Sequence, residues 1–533
     1  MFRASKAAIV LLVLAAVLRL YRLDHYPLPM HQDELSDAYD AYSLVETGRD
    51  RSGTPHPFVL RALGEADYRP ALYAWLAAVP MSIAGFSPAA ARLPSALLGV
   101  AALGLMFLFA STLVSETFAL LALGFGVFSP WHISYSRLAH QGAMLPAFFV
   151  ILALWMWQRS AVRGYPALAI GLLGFSVGLS ASAYQTTRLI GPLLIALIAY
   201  DLLRHSTWRN VGILVAGAAI GAAPQIFILV TAPEHFFARL VSTIPAATAQ
   251  TPSAAESVIK GVRLLFGPRL LFWPNMEDSG YLAARLLFVA LPFYYIGFVA
   301  LRKIAPLKLE RFRIYVYLVF AMALIPVLVT ANSSSIRVTA ALPLLPLFTA
   351  AGILWTVRTL ARWRIPPSLS YAAIGVGFAG SVAFTAFMYF GSATVNGARS
   401  NNVLVQIGER VKTLGPSYDK VFVVDSPEYA ALHVAAFSGV SPREFQRTKK
   451  ATVDVNGWDY ITSVGHLRFL KPRELESSLG ESCASVEREL FVSRTRVRFS
   501  NPLDSVSWHD EKYYFTDLDA VPLCHRTGAA SPE

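Results

Sequence analysis

Residues 92–114 read RLPSALLGVAALGLMFLFASTLV, a run whose one charge is the arginine that opens it. A helix rises about 1.5 Å per residue, so about 20 apolar residues cross the roughly 30 Å hydrocarbon core of a bilayer. This run is long enough, and the same window applied on either side finds ten more apolar segments. They lie near 7–21, 117–130, 144–158, 166–183, 189–203, 211–230, 286–301, 314–330, 338–357 and 370–390. Three of them, 117–130, 144–158 and 189–203, are short for a full span. Residues 71–86 (ALYAWLAAVPMSIAGF) are apolar too, but they carry Pro80 and Gly85 and adjoin the opening run. They read as a helix lying in the interface; a crossing there would reverse the sidedness of everything after it.

The composition agrees with eleven spans. Of 533 residues, 55% are hydrophobic and 15% charged, where a soluble domain carries about 25% charged residues. The mean hydropathy is +0.48. An ordinary cytosolic enzyme, a disulfide-dense secreted module and a disordered chain are excluded, and a polytopic helical membrane protein is the class expected. The N-terminal segment is basic at Met1–Lys6 and apolar over 7–18, like a signal peptide. No small-x-small site follows in Arg19-Leu-Tyr-Arg-Leu-Asp24, so it reads as an uncleaved anchor.

The net charge of +12 would suggest nucleic acid as the partner of a soluble protein. Its distribution says otherwise. With the N-terminus in the cytoplasm, the inside loops 1–6, 115–116, 159–163, 204–209, 302–313 and 358–364 hold fourteen Lys and Arg against Glu116 and Glu310 alone. That excess is the positive-inside signature. It predicts a multi-pass protein of a bacterial plasma membrane with an extracytoplasmic C-terminus, and no nucleic acid partner.

Two domains are expected: a membrane domain over 1–390, whose first outward loop spans 22–91, and an extracytoplasmic soluble domain over 391–533. The tail has 17 basic and 18 acidic residues. Lys420–Asp425 and Tyr460–Val464 read as strands and Glu428–Phe437 as a helix, predicting an α/β or α+β tail. Residues 231–285 read as an outside loop rich in Pro, Ala and Ser around 244–256. Cys483 and Cys524, the only cysteines, lie in the tail, where an oxidising compartment would let them pair.

The densest acidic cluster is His31-Gln-Asp33-Glu34-Leu-Ser-Asp37-Ala-Tyr-Asp40. If 33–46 is helical, Asp33, Asp37 and Asp40 share a face. Charge runs are commonly the wet face of a helix. This one, however, follows a span by only about a dozen residues, where a carboxylate at the rim of a lipid-facing cavity suits general-base work. Two arginines stand on the outward side close to spans: Arg188 in Tyr184-Gln-Thr-Thr-Arg188 and Arg337 in Asn332-Ser-Ser-Ser-Ile-Arg337. Either is an interfacial anchor or a fork for a lipid phosphate. Asp517-Leu-Asp519 is a DxD too short to carry a nucleotide-sugar role.

The order of motifs resembles a family. Asp33-Glu34 is followed by Tyr68-Arg69-Pro70-Ala-Leu-Tyr73-Ala-Trp75-Leu76, then Gly85-Phe-Ser87 and Ala91-Arg92-Leu93-Pro94-Ser95-Ala96-Leu97-Leu98-Gly99. Ser136-Arg137-Leu138-Ala139 and the Tyr184, Arg188, Pro192 run fit as well. The set, over residues 1 to about 360, resembles GT-C glycosyltransferases that use polyprenyl-phosphate sugars, in the protein mannosyltransferase and aminoarabinose transferase group. The resemblance implies a GT-C-like membrane domain with Asp33 as catalytic aspartate and Glu34 beside it. It implies Arg337 and Arg188 at the donor phosphate, and Arg69, Tyr73, Tyr184 and His140 around the substrates. Many relatives carry an acidic residue where His140-Gln141 stands here, so chemistry without a metal or other cofactor is expected. The implied reaction moves a sugar from polyprenyl phosphate to a hydroxyl of a protein, lipid or glycan acceptor, with inversion. The other classes open to this sequence are a non-catalytic envelope assembly protein and a transporter or flippase of lipid-linked sugars. The latter would show paired broken half-helices in two repeats, and no such symmetry is seen.

Overall fold

The computed structural model describes residues 5–27, 29–64, 67–243, 254–268, 271, 286–304, 310–328, 335–392, 399–424, 427–453, 459–474, 478, 488–494, 502–508 and 511–517. Cys483, Cys524 and Asp519 lie outside them.

All eleven apolar segments form helices. The first part of the chain gives α1 (Lys6–Leu20), α2 (Gln32–Thr47), a hairpin of β1 (Val59–Arg61) and β2 (Tyr68–Pro70), α3 (Leu72–Ala84) and α4 (Pro88–Leu113). Then follow α5 (Glu116–Val127), α6 (Pro130–Tyr135), α7 (Leu145–Val162), α8 (Ala167–Leu179), α9 (Gln185–His205) and α10 (Trp208–Thr231). The segment expected as an outside loop is partly helical, with α11 (Pro233–Thr243) and α12 (Ala254–Phe266). The membrane part closes with α13 (Ala290–Ile304), α14 (Glu310–Met322), α15 (Ile325–Leu328), a 3-10 helix at Ser335–Leu344, α16 (Leu345–Arg362) and α17 (Pro367–Ala386). Among the described residues seven helical stretches are long and apolar enough to cross a membrane; α1, α5, α8 and α13 are shorter.

The loops sort to two ends of the bundle, as alternating crossings require. At one end α2, the start of α4, the loop 136–144 and the 3-10 helix meet: Glu34 pairs with Arg92 and Ala139, and Tyr135 Oη lies 2.6 Å from Ser335 Oγ. The other end gathers around buried Asp201, near the end of α9. Its carboxylate accepts from Trp157 Nε1, Tyr165 Oη and Tyr315 Oη, each at 2.8 Å, and pairs with Arg311 Nε at 3.0 Å. Tyr73 in the first turn of α3 donates to Ala91 O at 2.9 Å and accepts from Ser95 Oγ at 3.1 Å, both in the first turns of α4. Two consecutive helices thus begin at the same end, so α3 does not carry the chain across. Its 13 residues, about 20 Å of helix, are too short to do so.

Helix pairs inside the bundle approach on small residues. A Cβ on Gly178 of α8 would stand 2.0 Å from Ala218 O of α10, and one on Gly352 of α16 1.9 Å from Phe293 O of α13. Lipid provides no hydrophobic drive between helices, so such backbone proximity is what holds them.

The tail opens with α18 (Arg399–Leu414) and contains α19 (Pro427–Phe437) and α20 (Pro442–Thr448). Its strands are β3 (Lys420–Val424), β4 (Lys450–Val453), β5 (Asp459–Val464), β6 (Leu467–Leu470), β7 (Glu489–Ser493), β8 (Asp504–Trp508) and β9 (Glu511–Asp517). They form one mixed sheet in the order β4-β5-β6-β3-β7-β9-β8, with β3 parallel to β6 and to β7. The most internal strand, β3, is the run KVFVV, apolar on both faces as a covered parallel strand should be. Helices α19 and α20 seat the tail on α2. Tyr39 donates to Val440 O at 2.9 Å, His433 Nε2 lies 3.0 Å from Met30 O, and Tyr39 meets Phe445 edge to face.

Candidate active site

The run His31–Asp40 forms the N-cap and first turns of α2, and local chemistry starts the helix there. His31 Nδ1 accepts the Asp33 N–H at 3.3 Å, while the Glu34 carboxylate accepts the His31 N–H at 3.2 Å. This capping box satisfies donors that a helix start leaves open, and Asp33 and Glu34 place negative charge at the positive end of the helix dipole.

Beyond the cap the acidic residues part company. Glu34 is buried. Its carboxylate takes Arg92 Nε at 3.1 Å, Arg92 Nη2 at 3.3 Å and the Ala139 N–H at 2.7 Å, and Arg92 also donates to Leu23 O. One carboxylate thereby ties α2 to α4, to the loop after α6 and to the connection from α1. Asp37, fully buried, sits 3.1 Å from Arg69 Nε and accepts the Gln141 N–H at 3.3 Å. Burial pushes its carboxyl up to about 7 against the pull of Arg69. Asp40, also fully buried, accepts the Arg51 N–H at 3.1 Å, Arg51 Nη1 at 3.0 Å and Arg69 Nη2 at 3.3 Å. Ser36 Oγ takes a 2.6 Å bond from Arg69 and one from Arg51. The wet-face reading of this cluster is therefore wrong for Asp37 and Asp40: Arg51, between α2 and β1, and Arg69, on β2, pair with them and offset the cost of burial. Asp33 differs. Its side chain is 37% exposed, 3.7 Å from His31 Nδ1.

Around Asp33 stands the loop 136–144. His140 Nδ1 accepts the Gly142 N–H at 2.9 Å, which leaves its proton on Nε2. Burial, only partly offset by Asp33, pushes His140 down to about 4, so the imidazole is neutral at ordinary pH. Tyr184 lies edge-on to the His140 ring at 6.1 Å. The 3-10 helix carrying Arg337 presses on the same loop, with Thr339 donating to Gly142 O at 2.8 Å. The structure thus gathers Asp33, Arg69 and His140, with Tyr184 on His140 and the segment of Arg337 on the loop.

Three of the residues expected at the substrates, Arg69, Tyr73 and Arg188, have protein partners in this structure. Arg69 and Tyr73 are 3% and 1% exposed, their polar groups engaged by Asp37, Asp40 and Ser36 and by Ala91 and Ser95. Arg188 donates to Gln225 Oε1 at 2.6 Å and Phe236 O at 2.7 Å, with the Phe236 ring 4.3 Å beneath it, so its terminal nitrogens hold α9 to α10 and α11. Asp517, from the DxD, accepts from Tyr418 at 3.0 Å inside the tail. Among the described residues no three His, Cys, Asp or Glu side chains are grouped to hold a metal ion. Sequence reasoning missed Arg51 and the role of Arg92 as an ion-pair partner. Arg92 opens an apolar helix, which is itself a sign that a buried acid awaits it.

A helical membrane domain thus carries its acidic site at one end and is capped by a mixed-sheet domain resting on the same helix. Residues 68–229 match the family model of dolichyl-phosphate-mannose-protein mannosyltransferases. The crystal structure of ArnT from Cupriavidus metallidurans bound to undecaprenyl phosphate superposes with a TM-score of 0.59 at 12% identity, covering 99% of this chain and 100% of that one. Its apo form gives 0.58 at 12% identity over 98% and 99%. The oligosaccharyltransferase AglB from Archaeoglobus fulgidus, in complex with an inhibitory peptide and a dolichol-phosphate, gives 0.46 at 12% identity over 81% and 63%. No curated protein matches the chain. The ArnT likeness extends over tail and membrane domain together, so the fold of the whole chain is of this type.

Proposed function

We propose that the chain is an integral-membrane glycosyltransferase. It takes a sugar from a polyprenyl-phosphate donor in the outer leaflet and passes it to an acceptor hydroxyl on the extracytoplasmic face, with inversion. The observation that carries this reading is the division of labour on α2: Glu34, Asp37 and Asp40 are buried in arginine pairs, and Asp33 reaches solvent beside a neutral histidine. Three buried acids fix a fourth in place, an arrangement suited to a general base.

In this mechanism Asp33 accepts the proton of the acceptor hydroxyl as its oxygen attacks the anomeric carbon. The bond to the lipid phosphate breaks on the opposite side, and the phosphate leaves with its electron pair. Arg337, on the segment packed against the His140 loop, answers that growing charge and binds the transition state better than the ground state. Arg188 would support the site by holding α9 and α11. The neutral His140, its Nε2 carrying a proton, is a donor for a sugar hydroxyl. With Asp37 and Asp40 already matched by Arg69 and Arg51, the reaction needs no metal here.

The test is Asp33→Asn in proteoliposomes supplied with labelled polyprenyl-phosphate sugars. Loss of the general base should lower kcat about a hundredfold to ten-thousandfold with the unfolding temperature unchanged. Transfer at the parental rate would remove Asp33 from this role. A parent protein that transfers no sugar from any donor to any acceptor would favour a non-catalytic envelope role.

A further inference from the structure

We infer that the tail and the first outward loop together build an anion-binding site, which takes a phosphate or carboxylate group of the acceptor. An open cavity of about 420 Å³ lies where the end of α2 meets α20, lined by Glu46, Thr47, Arg49, Arg443, Gln446 and Arg447. No lining residue is hydrophobic, so the cavity suits a water-borne polar group and offers nothing to a lipid chain. Three arginines face one carboxylate, leaving a surplus of two positive charges.

Much of this lining is held in place by the docking of tail on loop. Gln446 Nε2 reaches Ser43 Oγ at 2.9 Å, Thr47 Oγ1 at 3.0 Å and Asp50 O at 2.8 Å. Arg443 donates to Glu46 O at 3.2 Å, and Arg49 to Gly53 O at 2.9 Å. The first bond answers a carbonyl in the last turn of α2, and the second closes the loop that follows the helix. Arg447 is different, because among the described residues its side chain makes no hydrogen bond or ion pair. Bonds to backbone carbonyls therefore engage two of the cations, and the third is exposed at the cavity. Arginine forks suit phosphate and carboxylate oxygens in particular.

Position says what the ligand is for. Glu46 lies thirteen residues after Asp33 on one helix, about 20 Å along its axis. This inference rests on the transferase reading for the identity of the ligand: an acceptor whose hydroxyl sits at Asp33 and whose anionic group sits at Arg447 must be longer than a single sugar. The acceptor class is then an extended anionic glycan or glycolipid headgroup, and the tail is part of its binding surface.

The probe is labelled pyrophosphate, bound at low ionic strength to the full chain in nanodiscs of zwitterionic lipid. The parent should bind, Arg447→Gln should weaken binding at least fivefold, and Arg443→Gln with Arg447→Gln should abolish it; 0.5 M salt should do the same, because exposed charges are screened. Arg447→Lys should restore part of the affinity, and an unchanged unfolding temperature in Arg447→Gln separates lost binding from lost docking. Parental binding by the double variant, or no binding by the parent, would overturn the inference. So would loss of pyrophosphate binding in discs containing phosphatidylglycerol, since a membrane headgroup would then be the occupant. Asp33→Asn should bind pyrophosphate as the parent does, so the two proposals can fail separately.

Discussion

Buried carboxylates sit at both ends of the helical bundle, and they are built to different plans. Asp201 alone anchors its end, with Trp157, Tyr165, Tyr315 and Arg311 converging on two oxygens. The opposite end spreads Glu34, Asp37 and Asp40 over three arginines and leaves Asp33 in contact with solvent. A saturated carboxylate can only hold chain segments together. A graded series, from buried pairs to a half-open acid, holds segments together and also keeps one carboxylate in contact with solvent. The contrast separates architecture from site without any appeal to the ligands.

That contrast can be broken. Its largest expected effect is the loss of turnover in Asp33→Asn, with no counterpart at Asp201: Asp201→Asn should change unfolding temperature and leave substrate KM alone. Next comes Arg92→Leu, which strands Glu34 in a buried site and should cost about 3–5 kcal/mol, read as loss of folded protein in detergent. A small effect there would mean that Glu34 is not the pin of the site. Arg311→Leu should cost less, about 1–2 kcal/mol, because Arg311 is partly exposed and Asp201 keeps three other donors. Equal losses at Arg92 and Arg311 would erase the distinction between the two ends.

The smallest effect sharpens the comparison through pH. A carboxyl raised on folding holds its proton more tightly in the folded state. The stability it contributes is therefore full below the ordinary carboxylate range, near 4, and is lost as pH climbs to about 7 for Asp37. Asp37→Asn should flatten the decline of unfolding temperature across that window by a few degrees. A slope identical to the parent's would assign the decline to another group.

Some of this was legible in the sequence and some was not, for physical reasons. Long apolar runs are periodic signals that no tertiary contact overrides, so each of the eleven became a helix; KVFVV and the helix after it were equally plain. The helical content of 231–285 was missed because α11 and α12 are amphipathic and flanked by Pro and Ser, which read as loop. Asp33 stood out by type and position. Its partners did not, since Glu34 and Arg92, or Asp37 and Arg69, are dozens of residues apart and meet only through the fold. Asp201 did leave a trace, an acid ending the run IGPLLIALIAYD, which is costly in a membrane unless answered.

The ties made by Glu34 also set an order of assembly. Its partners are His31 in the linker after α1, Arg92 of α4 and Ala139, and Asp37 waits for Gln141. During synthesis the acid-bearing helix emerges ahead of its later partners: Arg51 follows Asp40 by 11 residues, Arg92 follows Glu34 by 58 and Ala139 follows it by 105. The face that Val440 and Phe445 will cover stays bare for three hundred residues more. The face of α2 that meets the tail is therefore the last part of this helix to be covered.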